Sequence, residues 1–208
     1  MVGLAVMAVF AFSAVMAANA SAAEWLCKEG GVFKACAAAR EVASEGTLKL
    51  SDATLLGTIT VECSGTNEGT VGTGAKDTIT AILDLAKMTS VIECTVTGGA
   101  TLCTAPALAE AVNLPWSTSL LSTTIDDLTT SGVGNPGWHI LCKNGTEDTC
   151  TKALAELTMK NETVGGVELV DALFNAAENA TCLNGNGKVS GLISITANDP
   201  NATAIAIS

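Results

Sequence analysis

Eight cysteines, Cys27, Cys36, Cys63, Cys94, Cys103, Cys142, Cys150 and Cys182, are spread along the chain, and every fold open to it must account for their sulfurs. No two are spaced Cys-x-x-Cys, and His139 is the only histidine. The ligand spacings of structural zinc sites are therefore missing. An even number of cysteines in an exported chain reads as a disulfide framework.

Export is suggested by residues 1–22. They carry no charge, run apolar from Met1 to Ala18 and end in Ala18-Asn19-Ala20 and Ala20-Ser21-Ala22. This fits the apolar core and small-residue cleavage site of a signal peptide better than a membrane anchor. The basic residues that normally precede such a core are missing, which suggests a start upstream of Met1. Cys27 follows Trp25-Leu26, not the small residues expected before a lipidated cysteine. Residues 23–208 then form the exported part, long enough for one domain with a substantial core. No linker, charge block or low-complexity tract divides it.

Twenty-one acidic against ten basic residues give a net charge of −11. Phosphate backbones and anionic membrane surfaces are poor partners for such a chain. The segment Leu114-Pro115-Trp116-Ser117-Thr118 is not a sortase signal, and no second hydrophobic span follows.

Hydrophobic residues alternate in short runs. In Thr58–Cys63 the residues Ile59, Val61 and Cys63 share one face, and Asp77–Leu83, Leu192–Thr196 and Thr203–Ser208 repeat the period of two. This pattern marks half-buried strands. Ser64-Gly65, Gly98-Gly99, Asn144-Gly145, Gly165-Gly166 and Asn184-Gly185 read as turns. The expected fold is mainly β: a disulfide-stapled antiparallel β-sandwich or barrel-like domain. A minor helical content is expected from Ala35–Val42, Ala153–Met159 and Leu169–Asn179, which are rich in helix formers. Val61-Glu62-Cys63, Ile92-Glu93-Cys94 and Ile140-Leu141-Cys142 echo one another, suggesting strands that end in a cysteine before a turn.

Spacing leaves the cysteine pairing open. The expected set is Cys27–Cys36, Cys94–Cys103 and Cys142–Cys150 as local bridges, with Cys63–Cys182 tying distant strands. The third pair constrains the hairpin in Gly137–Cys150. A two-residue Asn144-Gly145 turn would set Cys150 opposite His139. A three-residue loop, Gly145–Glu147, would bring Cys142 and Cys150 face to face, with Trp138 and Ile140 turned inward.

Chemistry is sparsely supplied. His139 lies with Leu141 and Lys143 on its strand, and the chain has no Gly-x-Ser-x-Gly elbow, so a surface or edge-strand role is expected. Asp126-Asp127 and Glu147-Asp148 are the only adjacent acidic pairs. Paired carboxylates serve glycosidases when they flank a cleft, and calcium uses clustered carboxylates and carbonyls. Neither an EF-hand nor a nonapeptide calcium pattern is present, so solvated loop charge and no cofactor are expected, calcium being the rival reading. Trp25, Trp116 and Trp138, with Phe33 and Phe174, are all the aromatics beyond residue 22 and suit a core role. Asn144, Asn161, Asn179 and Asn201 head N-x-Ser/Thr sequons.

Several stretches taken together resemble a group of uncharacterised secreted proteins of soil bacteria: Ala23-Glu24-Trp25-Leu26, Gly69–Gly72 with Asp77–Thr80, Val112–Trp116 with Thr118, Pro136-Gly137-Trp138 with Cys142, Asp148 and Cys150, and the closing Ile207-Ser208. The resemblance implies export and one cysteine-stapled domain, and carries no assigned activity. Cys27 and Cys36 depart from that pattern as a matched extra pair. The sequence thus favours a secreted, non-enzymatic extracellular or cell-surface protein that binds, adheres or builds, with an unknown extracellular partner. A secreted hydrolase using paired carboxylates is the main rival. A small inhibitor-like module with a loop braced by Cys94–Cys103 is a third.

Overall fold

The computed structural model describes residues 22–129, 132–174, 179–182 and 185–208. The expected signal peptide, apart from Ala22, lies outside them. The chain opens with a hairpin of β1 (Trp25–Glu29) and β2 (Val32–Ala35), followed by the two longest strands, β3 (Arg40–Thr54) and β4 (Gly57–Val71). Next come β5 (Lys76–Asp84), β6 (Val91–Gly98), β7 (Ala107–Val112), β8 (Trp116–Ser122) and β9 (Ile125–Thr129). β10 (Gly137–Cys142), β11 (Glu147–Thr151), β12 (Leu154–Val164) and β13 (Val167–Phe174) precede β14 (Asn179–Cys182), β15 (Gly185–Ala197) and β16 (Ile205–Ile207). All pairings between these strands are antiparallel.

Thirteen strands form one sheet that closes on itself twice. The ribbon β4–β3–β15 is its spine, paired along its full length. One half of the spine, with β5, β8, β9, β12 and β13, closes a first barrel-like ring through the β13–β15 pairing. The other half, with β6, β7, β10, β11 and β14, closes a second ring through β4–β6. β4 pairs β6 over Thr60–Glu62 and β5 over Gly65–Val71. β15 likewise pairs β14 over Asn186–Lys188 and β13 over Gly191–Ile195. Where the spine passes from one ring to the other, Gly46 faces Gly65 across the β3–β4 ladder. A Cβ on Gly46 would stand 2.1 Å from the Leu192 carbonyl oxygen, and one on Gly65 2.8 Å from that of Leu83. Only glycine lets neighbouring backbones curve this tightly toward one face.

The remaining strands form a small sheet, β16–β1–β2. It covers the end of the first ring that lies away from the second. The Trp25 amide donates to the Gly74 carbonyl, the Asn161 side chain of β12 bonds both the N–H and the C=O of Ile207, and Lys28 pairs with Glu168 of β13. Trp25 and Ile205 are fully buried beneath this cap.

Period-two burial explains why the helix formers became strands. In β12 the residues Ala155, Leu157 and Met159 are buried and Glu156, Thr158 and Lys160 exposed. In β13 Val170, Ala172 and Phe174 point inward while Leu173 is exposed. No helix occurs among the described residues. The expected helices at Ala35–Val42, Ala153–Met159 and Leu169–Asn179 are therefore corrected to strand and turn, residues 175–178 lying outside the description. Apolar alternation facing a ring interior outweighs the weak intrinsic preference of alanine and leucine. Ser64-Gly65, expected as a turn, is the interior of β4. Cys63 and Cys94 lie within strands and not at their ends; Cys142 does close its strand at a turn.

All eight cysteines are paired: Cys27–Cys36, Cys63–Cys94, Cys103–Cys142 and Cys150–Cys182. Cys27–Cys36 is as expected from the sequence. The expected Cys94–Cys103, Cys142–Cys150 and Cys63–Cys182 bridges are overturned, because neighbours in a closed ring are distant in the chain. Register gives the local reason. The hairpin loop holds three residues, but they are Lys143–Gly145, with Gly145 at φ +84° and the Cys142 amide bonded to the Thr146 carbonyl. Cys150 consequently faces Trp138, not Cys142. The brace proposed for an inhibitor loop is absent with Cys94–Cys103.

Two disulfides clamp two of the three shortest seams of the second ring. β4–β6 has three paired positions, and Cys63–Cys94 continues that ladder. β11–β14 has two, one of them Cys150 opposite Cys182. The first ring closes through longer ladders, eight positions in β12–β13 and five in β13–β15, with no disulfide. Replacing Cys150 and Cys182 together by alanine is expected to lower stability by about 3–4 kcal/mol for a loop of this length, on a chain-entropy estimate. Hydrogen exchange should accelerate first in β11 and β14; uniform acceleration over both rings would refute the clamp. Gly187 packs on that bridge, where a Cβ would sit 2.6 Å from Cys182 Sγ. Gly187→Ala is expected to cost about 1–3 kcal/mol by overpacking, and the loss should shrink in the Cys150→Ala/Cys182→Ala background, measured by a denaturation cycle.

Candidate functional site

The inner faces of the two rings enclose three distinct environments. At the junction lies an apolar cavity of about 80 Å³. The first ring contributes Ile82, Trp116, Leu128, Ala155 and Phe174; the second contributes Ile92, Ala109, Trp138 and Val189. Gly46 and Gly65 form part of its spine wall, so the glycines that let the spine bend also leave room there. Leu48 and Ile82 line it and are only half-buried although they lie on inner faces, as expected of side chains against open space. Asn67, Glu110 and Lys152 supply polar groups among the lining, and Glu110 is exposed. Trp116 is fixed by its indole N–H, which donates to the Val112 carbonyl at 2.8 Å.

Below the junction, under the cap, the first ring encloses a smaller space of about 40 Å³ lined by Ser44, Asn67, Asp77, Thr118 and Asp126, with Glu68, Thr70 and Thr78 and apolar neighbours such as Leu157 and Met159. Asp77 and Asp126 come from β5 and β9, separated by β8, and Thr118 of β8 lies between them. Burial pushes the Asp126 carboxyl from 3.8 to about 8, and the nearby Asp77 charge adds to the rise. Burial pushes Asp77 to about 6 against the opposing influence of Thr118 and Trp25. Asp126-Asp127, expected as solvated loop charge, is corrected: both residues are buried in β9. Their surroundings do not make a hydrolase cleft, because this enclosure has room for a water or an ion and none for a sugar ring.

The second ring holds Asp52, 1% exposed, beside Asp148 and the Cys150–Cys182 bridge. Burial raises the Asp52 carboxyl from 3.8 to about 7, reinforced by the adjoining Asp148 side chain. Asp52 and the two sulfurs lie within 4.8 Å of one another, but both sulfurs are consumed in the disulfide, which removes them as thiolate ligands. Here the expected solvated pair Glu147-Asp148 splits: Asp148 is buried and Glu147 faces outward. His139 shares that outer face, its Nε2 3.5 Å from a Glu147 carboxylate oxygen. It sits on β10 between β7 and β11, not on an edge strand. No metal-ligand set that includes it forms among the described residues.

The three tryptophans are buried, as a core role requires. Sequence reasoning missed Asp52, Asp77 and Thr118. The signal was parity: Asp77 shares a face with Ile79, and Asp52 with Leu48 and Leu50, so each alternating strand aims an acid into its ring.

A carboxyl raised by folding binds more protons in the native than in the unfolded state between the two pKa values, so stability falls as pH rises through that window. For Asp52 the window runs from 3.8 to about 7. In chelator-containing buffer the protein is expected to be more stable at about pH 5 than at about pH 8, and Asp52→Asn should flatten the curve, as read by denaturant midpoints. An unchanged slope in the variant would refute the assignment. Comparisons with protein-family models, with curated proteins and with solved structures found no match to this chain.

Proposed function

We propose that the protein is an exported, non-catalytic binding protein that holds a small apolar molecule in the cavity between its two rings. The junction cavity carries this reading. It is apolar, sits where two separately closed rings meet, and is walled by aromatic side chains from both. Cavities of this kind at the meeting of two structural units are favoured ligand sites; a dry apolar cavity of about 150 Å³ accepts benzene or xenon, and the junction cavity, at about 80 Å³, has about half that volume and suits a guest smaller than benzene. Four disulfides are typical of proteins that mature in an oxidising, extracytoplasmic setting, which fits export and the secreted group that the sequence resembles. The role is binding, since the lining offers shape and apolar contact in place of a nucleophile–base arrangement.

Xenon titration followed through the indole N–H resonances of Trp116 and Trp138 tests the reading. Saturable shifts are expected, with a matching rise in thermal stability from preferential binding to the folded state. Ala109→Leu, which fills the cavity, should abolish both, whereas Leu48→Ala, which enlarges it, should admit benzene. Identical responses in the parent and the filled variant would overturn the proposal.

A further inference from the structure

A second site lies in the capped end of the first ring, adjoining the junction cavity at Asn67. Three observations concern the same small space. Asp77 and Asp126 reach it from strands on either side of β8, and Thr118 stands between them on β8 itself. Thr118 is 3% exposed and Asp126 2%, yet Thr118 Oγ1, Asp126 Oδ1 and Asp77 Oδ1 are buried with no partner in good hydrogen-bond geometry, although Thr118 lies near enough to both carboxyls, and Trp25 to Asp77, to interact with them. Buried polar oxygens in native proteins almost always have one, so an orphaned set signals a missing occupant. The lining also includes Ser44, 5% exposed, Asn67, 9% exposed, Thr70, Thr78 and the exposed Glu68, and among the described residues it contains no lysine, arginine or histidine. Two carboxyl groups therefore face a space in which the protein supplies oxygen donors and no positive charge.

We infer that the Asp77–Thr118–Asp126 cluster is a calcium site. A divalent ion balances the charge of two carboxylates. The donors are all hard oxygens, with no imidazole or thiolate to recruit zinc or copper. Calcium takes six to eight oxygens in irregular geometry, and the Asp77 and Asp126 carboxylates, the Thr118 hydroxyl and the Asn67 and Ser44 side chains are the oxygens on this lining that could meet that need. Magnesium insists on octahedral geometry and keeps several of its waters, for which an enclosure of about 40 Å³ is too small. The ion would join β5, β8 and β9 directly beneath the cap, in the ring that has no disulfide between its strands.

Trp25 provides the readout. Its indole is fully buried in the cap and adjoins Asp77, close enough to sensitise a terbium ion bound in place of calcium. The oxidised protein, refolded in chelator and then exchanged into calcium, magnesium or terbium, is expected to behave in three ways. Indole excitation should give terbium emission that calcium displaces and magnesium does not. Calcium at about 10 mM should raise the Tm by roughly 5 °C, the scale set by a sub-millimolar Kd in a protein of this length. Trp25→Phe should weaken the sensitised emission, leaving the part supplied by Trp116, two residues from Thr118 on the same face of β8, while keeping the calcium-dependent Tm rise. Asp126→Asn should lose both. Because that variant can fail to fold, the calcium-against-magnesium contrast in the parent protein stands as a separate test. Equal Tm rises with both ions would mean general screening of the acidic surface and would overturn the site, as would emission that survives Asp126→Asn.

Discussion

The hydrogen-bonded ribbon of β4, β3 and β15 is the constraint on which the rest of the molecule depends. Its strands are long enough to serve two rings in succession, and both rings close only because the ribbon changes partners half-way along. The change demands a bend at which side chains would collide with neighbouring carbonyls, so Gly46 and Gly65 stand opposite each other there. Bent strands without side chains cannot fill the space they enclose. The junction cavity is thus a geometric consequence of sharing one spine between two barrels.

The two rings achieve closure differently. The first relies on long ladders and on the small sheet held across its end by Trp25, Asn161 and Lys28. The second has shorter strands, and covalent bonds stand in for the hydrogen bonds that its seams lack. Both interiors contain acids that folding removes from water. These polar positions within otherwise apolar faces cost stability at neutral pH, as the upward shifts of Asp52, Asp77 and Asp126 indicate. Sites that weaken a fold while serving no packing purpose are where function is expected.

Much of the local architecture was legible in the residues. Ile59, Val61 and Cys63 on one face of a strand, the Gly165-Gly166 turn and the inward tryptophans all follow from period-two patterning and turn chemistry, which are properties of short windows. The Asn144-Gly145 loop was legible in length and not in position. A shift of two residues moved Cys142 away from Cys150, and the wrong bridge followed from that one displacement. The helical expectation at Ala153–Met159 failed for a related reason: propensity is a local quantity, whereas which face of a segment meets an interior is decided by its neighbours.

By itself the sequence determined that the chain would build antiparallel strands with alternating faces and that its cysteines would hold the fold together. Alternation and an even number of thiols are written residue by residue. Tertiary structure alone decided that the sheet closes twice around a shared spine, which cysteine meets which, and that Asp52, Asp77 and Asp126 face inward together. Those outcomes depend on contacts between residues far apart in the chain. Strand order and register, to which a local pattern is blind, bring them into being.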